Sequence, residues 1–329
     1  MIRWGILSTA KIGLTKVIPA LQNSRLGEVT AISSRVGEQA EKAARQLGIA
    51  KAYSSYEELL SDPDIDAIYN PLPNHLHVEW TLKALRAGKH VLCEKPIGMN
   101  RSEAIRLEAE SRKFPTLKVM EAFMYRFHPQ WVKAKQLIDA GTIGQVKTVQ
   151  SFFSYFNADP NNIRNKPEVG GGALMDIGCY CISFPRFLFA EEPSAVMGFM
   201  DVDPQMRTDR LTSGILKFAA GKSSSFTCST QLCPFQQVHI LGDQGRITVE
   251  IPVNAPPTQK CKIILMVANG RKEIEFDAVD QYSLQADAFA EAILNNTPAP
   301  TPLTDAIANM AVIDAIRASA EQNTWINIE

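Results

Sequence analysis

The sequence Ile2-Arg-Trp-Gly-Ile-Leu-Ser8-Thr-Ala10-Lys-Ile-Gly13 decides the fold of the amino-terminal part of this chain. Its apolar start predicts a buried strand, and residues 11–22 have the spacing of a helix. A dinucleotide-binding fold places the turn G-x-G-x-x-G between such a strand and helix. Ser8, Ala10 and Gly13 occupy its three glycine positions, and serine and alanine are the smallest substitutes for glycine. Free N–H groups at the helix start would then hold the pyrophosphate; the residues concerned are Ser8, Thr9, Ala10, Lys11 and Ile12.

The alternation of strands and helices continues to about residue 120. Apolar runs predict strands at 2–8, 28–33, 66–70, 90–93 and 117–120, with helical patterns between them. Strands that alternate with helices pair in parallel through right-handed crossovers. Residues 1–122 are therefore predicted to form an α/β dinucleotide-binding domain, a doubly wound (Rossmann) parallel sheet with helices on both faces.

The pattern changes after a helix predicted at residues 129–140. Strand-like runs then follow each other with only turns between them, at 146–156, 195–202, 211–218, 223–232, 238–241, 246–251, 261–267 and 272–276. We expect residues 123–329 to form an α+β substrate-binding and oligomerisation domain with a large, mainly antiparallel, open-faced sheet. Three helices, at 173–189, 284–295 and 304–322, suffice for one face only, and the last can also pack back on the first domain. The uncovered face predicts a homodimer or a dimer-based tetramer through this sheet.

Composition narrows the class of partner. The 34 basic and 35 acidic side chains nearly cancel, which argues against nucleic acid and against a polybasic membrane anchor. The six cysteines form no C-x-x-C pair, and neither they nor the His75/His77 pair has a neighbouring ligand cluster, so we expect no metal. No signal-peptide pattern precedes the first strand, so a cytoplasmic location is expected. A small-molecule partner is favoured.

The end of the second strand indicates which dinucleotide would bind. An NAD enzyme carries an acid about 20 residues beyond the glycine turn, on the ribose 2′-hydroxyl. Here the sequence is Ser33-Ser34-Arg35, without an acid. Small hydroxyls beside a guanidinium suit a 2′-phosphate. NADP is therefore predicted in preference to NAD.

Chemistry-bearing residues follow the next two strands. A loop stiffened by two prolines, containing Pro71, Leu72, Asn74 and His75, and the segment Cys93-Glu94-Lys95-Pro96 both lie at strand ends. Ligands bind at the carboxyl ends of parallel strands, so both segments are predicted to line the cofactor site. In the second domain, Gly170-Gly-Gly-Ala-Leu-Met-Asp176-Ile-Gly-Cys-Tyr180 places Asp176 and Tyr180 four residues apart on one face of a helix.

The combination of a dinucleotide fold, Glu94-Lys95-Pro96 and Asp176-Ile-Gly-Cys-Tyr180 resembles the Gfo/Idh/MocA oxidoreductase family. Arg3-Trp4-Gly5-Ile6 and the segment 121–129 are most similar to the branch with NADP-dependent D-xylose dehydrogenases and dimeric dihydrodiol dehydrogenases. The resemblance implies that Lys95 contacts nicotinamide and substrate, that Tyr180 exchanges the substrate proton, and that Asp176 helps to hold the substrate. A nearby ammonium would lower the pKa of Tyr180 from about 10 by stabilising the phenolate.

The resemblance implies hydride transfer between NADP and a CH–OH or carbonyl carbon of a sugar or related polyol. Candidates for the substrate pocket, besides Asp176 and Tyr180, are Arg126, Phe152, Tyr155 and Arg164. Two alternatives remain open, a keto-sugar reductase such as a 1,5-anhydro-fructose reductase and a non-catalytic NADP-binding regulatory protein. Retention of both Lys95 and Tyr180 favours an enzyme.

Overall fold

Six parallel strands form the first sheet, in the order β3-β2-β1-β4-β5-β6. They are β1 (Ile2–Ile6), β2 (Gly27–Ser33), β3 (Lys51–Tyr53), β4 (Ala67–Asn70), β5 (His90–Cys93) and β6 (Val119–Glu121). The strand order reverses between β1 and β4, so the loops at their carboxyl ends diverge and leave a crevice for a ligand. The predicted doubly wound sheet is confirmed. The short edge strand β3 was not predicted, because its three residues are all partly or fully exposed and carry no apolar pattern.

Helices connect these strands. They are α1 (Ile18–Gln22), α2 (Gly37–Leu47), α3 (Tyr56–Ser61), α4 (His77–Arg86) and α5 (Arg101–Ser111). A π-helical turn at Gly13–Val17 precedes α1, so the helix predicted at residues 11–22 is present but widened in its middle. Gly48, with φ of +67°, ends α2 in the left-handed conformation that glycine adopts without cost.

Nine strands form the second sheet, in the order β14-β13-β12-β11-β7-β10-β9-β8-β15. They are β7 (Val146–Phe156), β8 (Ala195–Val202), β9 (Asp209–Lys217), β10 (Ser223–Ser229), β11 (Gln231–Gly242), β12 (Gly245–Val249), β13 (Cys261–Val267), β14 (Gly270–Phe276) and β15 (Ile326–Asn327). All neighbours are antiparallel except β7 and β10, which pair in parallel. The predicted mainly antiparallel sheet is confirmed.

The remaining helices are α6 (Pro129–Asp139), α7 (Cys179–Phe189), α8 (Gln281–Leu294) and α9 (Leu303–Gln322). Of these, α7 packs on β7 and β10. The buried ring of Phe153 on β7 lies 6.1 Å from the Tyr180 ring, and Cys228 on β10 is fully buried. The α7 side is therefore the inner face of the nine-stranded sheet.

The structure, a computed structural model, describes residues 1–328 and divides into two units. The first unit contains Met1–Met124 and Asp280–Ile307, and the second contains Tyr125–Val279 and the chain from Ala308 onwards. The sequence predicts one unbroken second domain at 123–329, whereas the structure has α8 in the first unit. Its Asp287 carboxylate accepts hydrogen bonds from Ser24 and Arg25. The apolar pattern of a helix predicts that it is buried but does not name the surface that buries it.

Within residues 1–328, no three His, Cys, Asp or Glu side chains are grouped as metal ligands would be. In the same range, no helix has the length and apolar character required to cross a membrane.

Candidate active site

The turn after β1 places a serine in the left-handed backbone conformation that favours glycine. Ser8 has φ of +67°, a left-handed conformation that costs a non-glycine residue about 1 to 2 kcal/mol. Its hydroxyl accepts a hydrogen bond from the N–H of Ala10 at 3.2 Å, so the side chain closes the turn. Gly13 is the one glycine of the pattern that is retained. A Cβ added there would lie 3.7 Å from Tyr69, an ordinary contact distance, so the space at this position would admit a side chain.

At the end of β2, the three residues predicted to bind a 2′-phosphate have different surroundings. Ser33 is fully buried and donates its hydroxyl to the Ile6 carbonyl at 3.1 Å, so this hydroxyl serves the sheet. The Ser34 hydroxyl accepts from Val36 N at 3.2 Å and closes the following turn. Arg35 is exposed, and its positive charge acts on the neighbouring Tyr56. Of the three, Arg35 is the residue that presents a charge to solvent.

Glu94 and Lys95 lie at the end of β5. The Glu94 carboxylate accepts from the Tyr69 hydroxyl at 2.8 Å and from the Lys95 N–H at 3.3 Å. Tyr69 belongs to the neighbouring strand β4, so this carboxylate ties two adjacent strand ends together. Lys95 is half-buried and lies at the predicted edge of the sheet.

Two buried side chains, those of His77 and Glu121, bind the backbone that follows Lys95. The ring nitrogens of His77 lie 2.7 Å from the Pro96 carbonyl oxygen and 2.6 Å from that of Leu72. Burial lowers the pKa of His77 to about 4, so the ring is neutral at pH 7 and donates to one of these oxygens. The buried Glu121 carboxylate accepts from Ile97 N at 2.7 Å. Sequence reasoning missed both roles, although an acid directly at the end of the buried strand β6 was a signal.

The predicted cofactor residues of the β4 loop differ in exposure. Pro71 and Leu72 are buried, and Leu72 N donates to the Asn70 side chain at 3.3 Å. Asn74 is half-buried and His75 is exposed. Thr9, Ala10 and Ile12 are half-buried and Lys11 is exposed, so the helix start near β1 is accessible.

In the second unit, three predicted substrate residues meet at one oxygen atom. The Asp176 Oδ2 atom accepts from the Tyr155 hydroxyl at 2.6 Å and lies 3.0 Å from Arg164 Nε. Burial and the neighbouring carboxylate raise the pKa of Tyr155 far above its ordinary value. Tyr155 therefore stays protonated and donates a hydrogen bond to Asp176. Sequence spacing could not show this contact, because it joins β7, a loop and a helix.

Asp176 lies in a π-helical turn, Leu174–Gly178, which continues directly into α7. The helix predicted at 173–189 is thus present, with a wider first turn. Such turns are rare and occur frequently at functional sites. Tyr180 follows four residues after Asp176, in the first turn of α7, and its side chain is buried.

Aromatic rings surround Tyr180. The rings of Tyr125 and Phe153 each lie 6.1 Å from the Tyr180 ring. The Tyr125 hydroxyl is 2.7 Å from Ser183 Oγ, which also accepts from Arg126 at 2.7 Å. Arg126, which is half-buried, is therefore held one helical turn beyond Tyr180. Low polarity around a tyrosine makes a nearby cation more effective in lowering its pKa.

Phe152 was predicted to line the substrate pocket, and this is wrong. Side chains alternate between the two faces of a strand. Phe153 points to α7 and Tyr180, so its neighbour Phe152 lies on the opposite face of the sheet. There its ring packs 5.6 Å from that of Phe235.

Comparisons with known proteins match both parts of the chain. A family model described as an oxidoreductase family with an NAD-binding Rossmann fold matches residues 2–120. A second model, the GFO/IDH/MocA C-terminal domain, matches residues 131–248.

Individual relatives match along most of the chain. A D-xylose 1-dehydrogenase (NADP(+)) from Haloferax volcanii is 36% identical, with 99% of each chain covered. A trans-1,2-dihydrobenzene-1,2-diol dehydrogenase from Xenopus laevis is 36% identical over 84% of this chain and 81% of the relative. Among solved structures, a 3-ketoreductase from Actinomadura kijaniata in complex with TDP-benzene and NADP has a TM-score of 0.91 and 30% identity, over 97% of both chains.

The two family models together match more than half of the chain, and the 3-ketoreductase structure matches it over 97% of both chains. The protein therefore belongs to the GFO/IDH/MocA oxidoreductase family.

Proposed function

We propose that the protein is an NADP-dependent oxidoreductase that transfers a hydride between NADP and a CH–OH or carbonyl carbon of a sugar or related polyol. The observation that carries this proposal is the Asp176 carboxylate, held by Tyr155 and Arg164 four residues before Tyr180. Such a carboxylate, fixed beside a tyrosine, suits a substrate rich in hydroxyl groups. The relatives named above are a D-xylose dehydrogenase, a dihydrodiol dehydrogenase and a 3-ketoreductase, which supports this class.

The residues at the ends of β1 and β2 fit NADP. The turn at Ser8 has a left-handed residue where the dinucleotide pattern places its first glycine, and the helix start after it is accessible. No acid follows β2 to bind a ribose 2′-hydroxyl, and the exposed Arg35 supplies a positive charge for a 2′-phosphate. When bound, NADP supplies the nicotinamide carbon that takes or gives the hydride.

The proton of the reaction is assigned to Tyr180. Oxidation of a carbinol removes a hydride from carbon and a proton from the hydroxyl oxygen, and reduction returns both. As a phenolate, Tyr180 would take that proton, and the family resemblance implies the Lys95 ammonium as the charge that favours the phenolate. Tyr155 is unsuited to this task because its raised pKa keeps it protonated. Asp176 would accept a hydrogen bond from a neighbouring substrate hydroxyl and so fix the reacting carbon.

The proposal also covers the direction of the reaction and the class of substrate. An aldose or dihydrodiol dehydrogenase is the first candidate, and a keto-sugar reductase uses the same residues in reverse. A non-catalytic NADP-binding regulator is less favoured, because a binding protein would not need both Lys95 and Tyr180.

We also propose that two copies associate through the outer face of the nine-stranded sheet. The backbone pairing places Phe152 on β7, Thr227 on β10, Ser213 on β9 and Phe199 on β8 in one row across this face. Phe199 is 61% exposed, and Ile215 and Phe235 on the same face are 46% and 49% exposed. A face of this kind is self-complementary in a twofold dimer.

The activity is tested by following NADPH formation with a panel of aldoses, inositols and dihydrodiols, and NADPH consumption with keto-sugars. We expect turnover with at least one member and saturation in both substrates. Tight NADP binding without turnover of any member in either direction would contradict the enzyme proposal and favour the regulator.

A further inference from the structure

The helix that carries Asp176 and Tyr180 starts at a buried carboxylate from a different part of the chain. Asp209, the first residue of β9, is 6% exposed. Its Oδ2 atom accepts hydrogen bonds from Leu174 N and from Thr212 Oγ1, both at 2.7 Å. Leu174 begins the π-helical turn, and the first N–H groups of a helix have no acceptor within the helix. No side chain at the helix start caps these N–H groups. Asp209 supplies this cap from the sheet.

The glycine run before this helix is shaped to admit Asp209. Gly172 has φ of +114°, and a Cβ added there would lie 1.9 Å from Asp209 Oδ1. A Cβ on Gly171 would lie 2.6 Å from the Arg164 carbonyl oxygen, and that oxygen accepts from Gly172 N at 2.8 Å. The same glycines therefore seat the cap and the loop that carries Arg164.

We propose that Asp209 is a positioning residue, which fixes the placement of Asp176 and Tyr180 for the reaction by capping the start of their helix. It acts through the backbone at Leu174. The inference rests on the proposed function, because its effect is read as a change in turnover.

Asp209 is also placed to make this support depend on pH. Burial raises the pKa of Asp209 to about 6. The two hydrogen bonds and the Arg317 guanidinium on α9 act in the opposite direction and lower this pKa. The Cys228 thiol on β10 also lies near it, and burial raises the pKa of this thiol well above its ordinary value. The carboxylate is thus charged above pH 6 and neutral below it. A charged acceptor at a helix start binds its N–H groups more strongly than a neutral one.

The first test is the pH profile of kcat/KM for three proteins, namely the wild type, Asp209→Asn and Thr212→Val. In the wild type we expect kcat/KM to fall below about pH 6. Asp209→Asn keeps an oxygen acceptor without the charge and should remove this inflection while lowering kcat/KM at pH 8 by about 10- to 100-fold. Thr212→Val removes one donor to the carboxylate, favours its protonation and should move the inflection to higher pH. Thr212→Ser, which keeps the donor, should leave the profile as in the wild type.

The second test does not depend on activity. Hydrogen exchange of the amides in residues 173–178 should be faster in Asp209→Asn than in the wild type, whereas NADP affinity should stay within about twofold. An unchanged pH profile in both Asp209→Asn and Thr212→Val would overturn the positioning role, as would faster exchange without loss of turnover. If Tyr180→Phe also keeps full turnover, the failure lies with the proposed function instead.

Discussion

Replacement of Gly172 by alanine tests the geometry that supports the catalytic helix. The added Cβ would lie 1.9 Å from Asp209 Oδ1 and 3.1 Å from its Cγ atom. Carbon and oxygen do not approach below about 3.0 Å, so the carboxylate or the glycine segment must move by about 1 Å. Movement of the carboxylate disrupts its bonds to Leu174 N and Thr212.

The magnitude of this effect has two parts. Loss of a hydrogen bond to a buried charge costs about 1.5 to 3 kcal/mol. A side chain at φ of +114° adds about 1 to 3 kcal/mol of backbone strain. Together these predict that Gly172→Ala lowers the free energy of unfolding by about 2.5 to 6 kcal/mol.

Chemical denaturation of Gly172→Ala, followed by the fluorescence of the buried Trp131 in the same unit, provides the assay. Gly221→Ala is the matched control, because Gly221 has φ of +72° with no atom within 4 Å of an added Cβ. The control should lose only about 1 to 2 kcal/mol. Equal losses in the two variants would refute the close approach of Asp209 to the glycine run.

Three further variants test separate parts of the account. Arg35→Ala should weaken NADP binding by about 1 to 3 kcal/mol and leave NAD binding unchanged in calorimetry, and equal losses would exclude a 2′-phosphate contact. Ser8→Val should lower the melting temperature more than Ser8→Gly, because a branched side chain resists positive φ and cannot accept from Ala10; similar melting temperatures would contradict this reading of the turn. Phe199→Lys combined with Ile215→Lys should give monomers in light scattering at micromolar concentration, whereas an unchanged mass would place the interface elsewhere.

Regular elements were predictable because their signal is local. Apolar runs and their spacing gave β7, β8 and β13 with the same limits as the structure. The alternation of strands and helices likewise predicted the parallel sheet and the strand ends at Glu94 and Lys95.

Contacts between distant segments were not predictable. Asp209 and Leu174 are 35 positions apart, and no pattern around Asp209 marks it as a cap. Phe152 was misplaced for a related reason, since alternation predicts that neighbouring residues face opposite sides but not which side faces the helix. The contact of Tyr155 and Arg164 with one oxygen of Asp176 likewise depends on tertiary packing.

The central claim is that Tyr180 moves the proton in an NADP-dependent hydride transfer. Its most direct test is the turnover of Tyr180→Phe on the substrate that the panel identifies, measured from pH 6 to 10 with NADP saturating. We expect a loss of about 100- to 10,000-fold in kcat, with NADP affinity retained because the ring still fills its place between Tyr125 and Phe153. Wild-type turnover in Tyr180→Phe across this pH range would contradict the assignment.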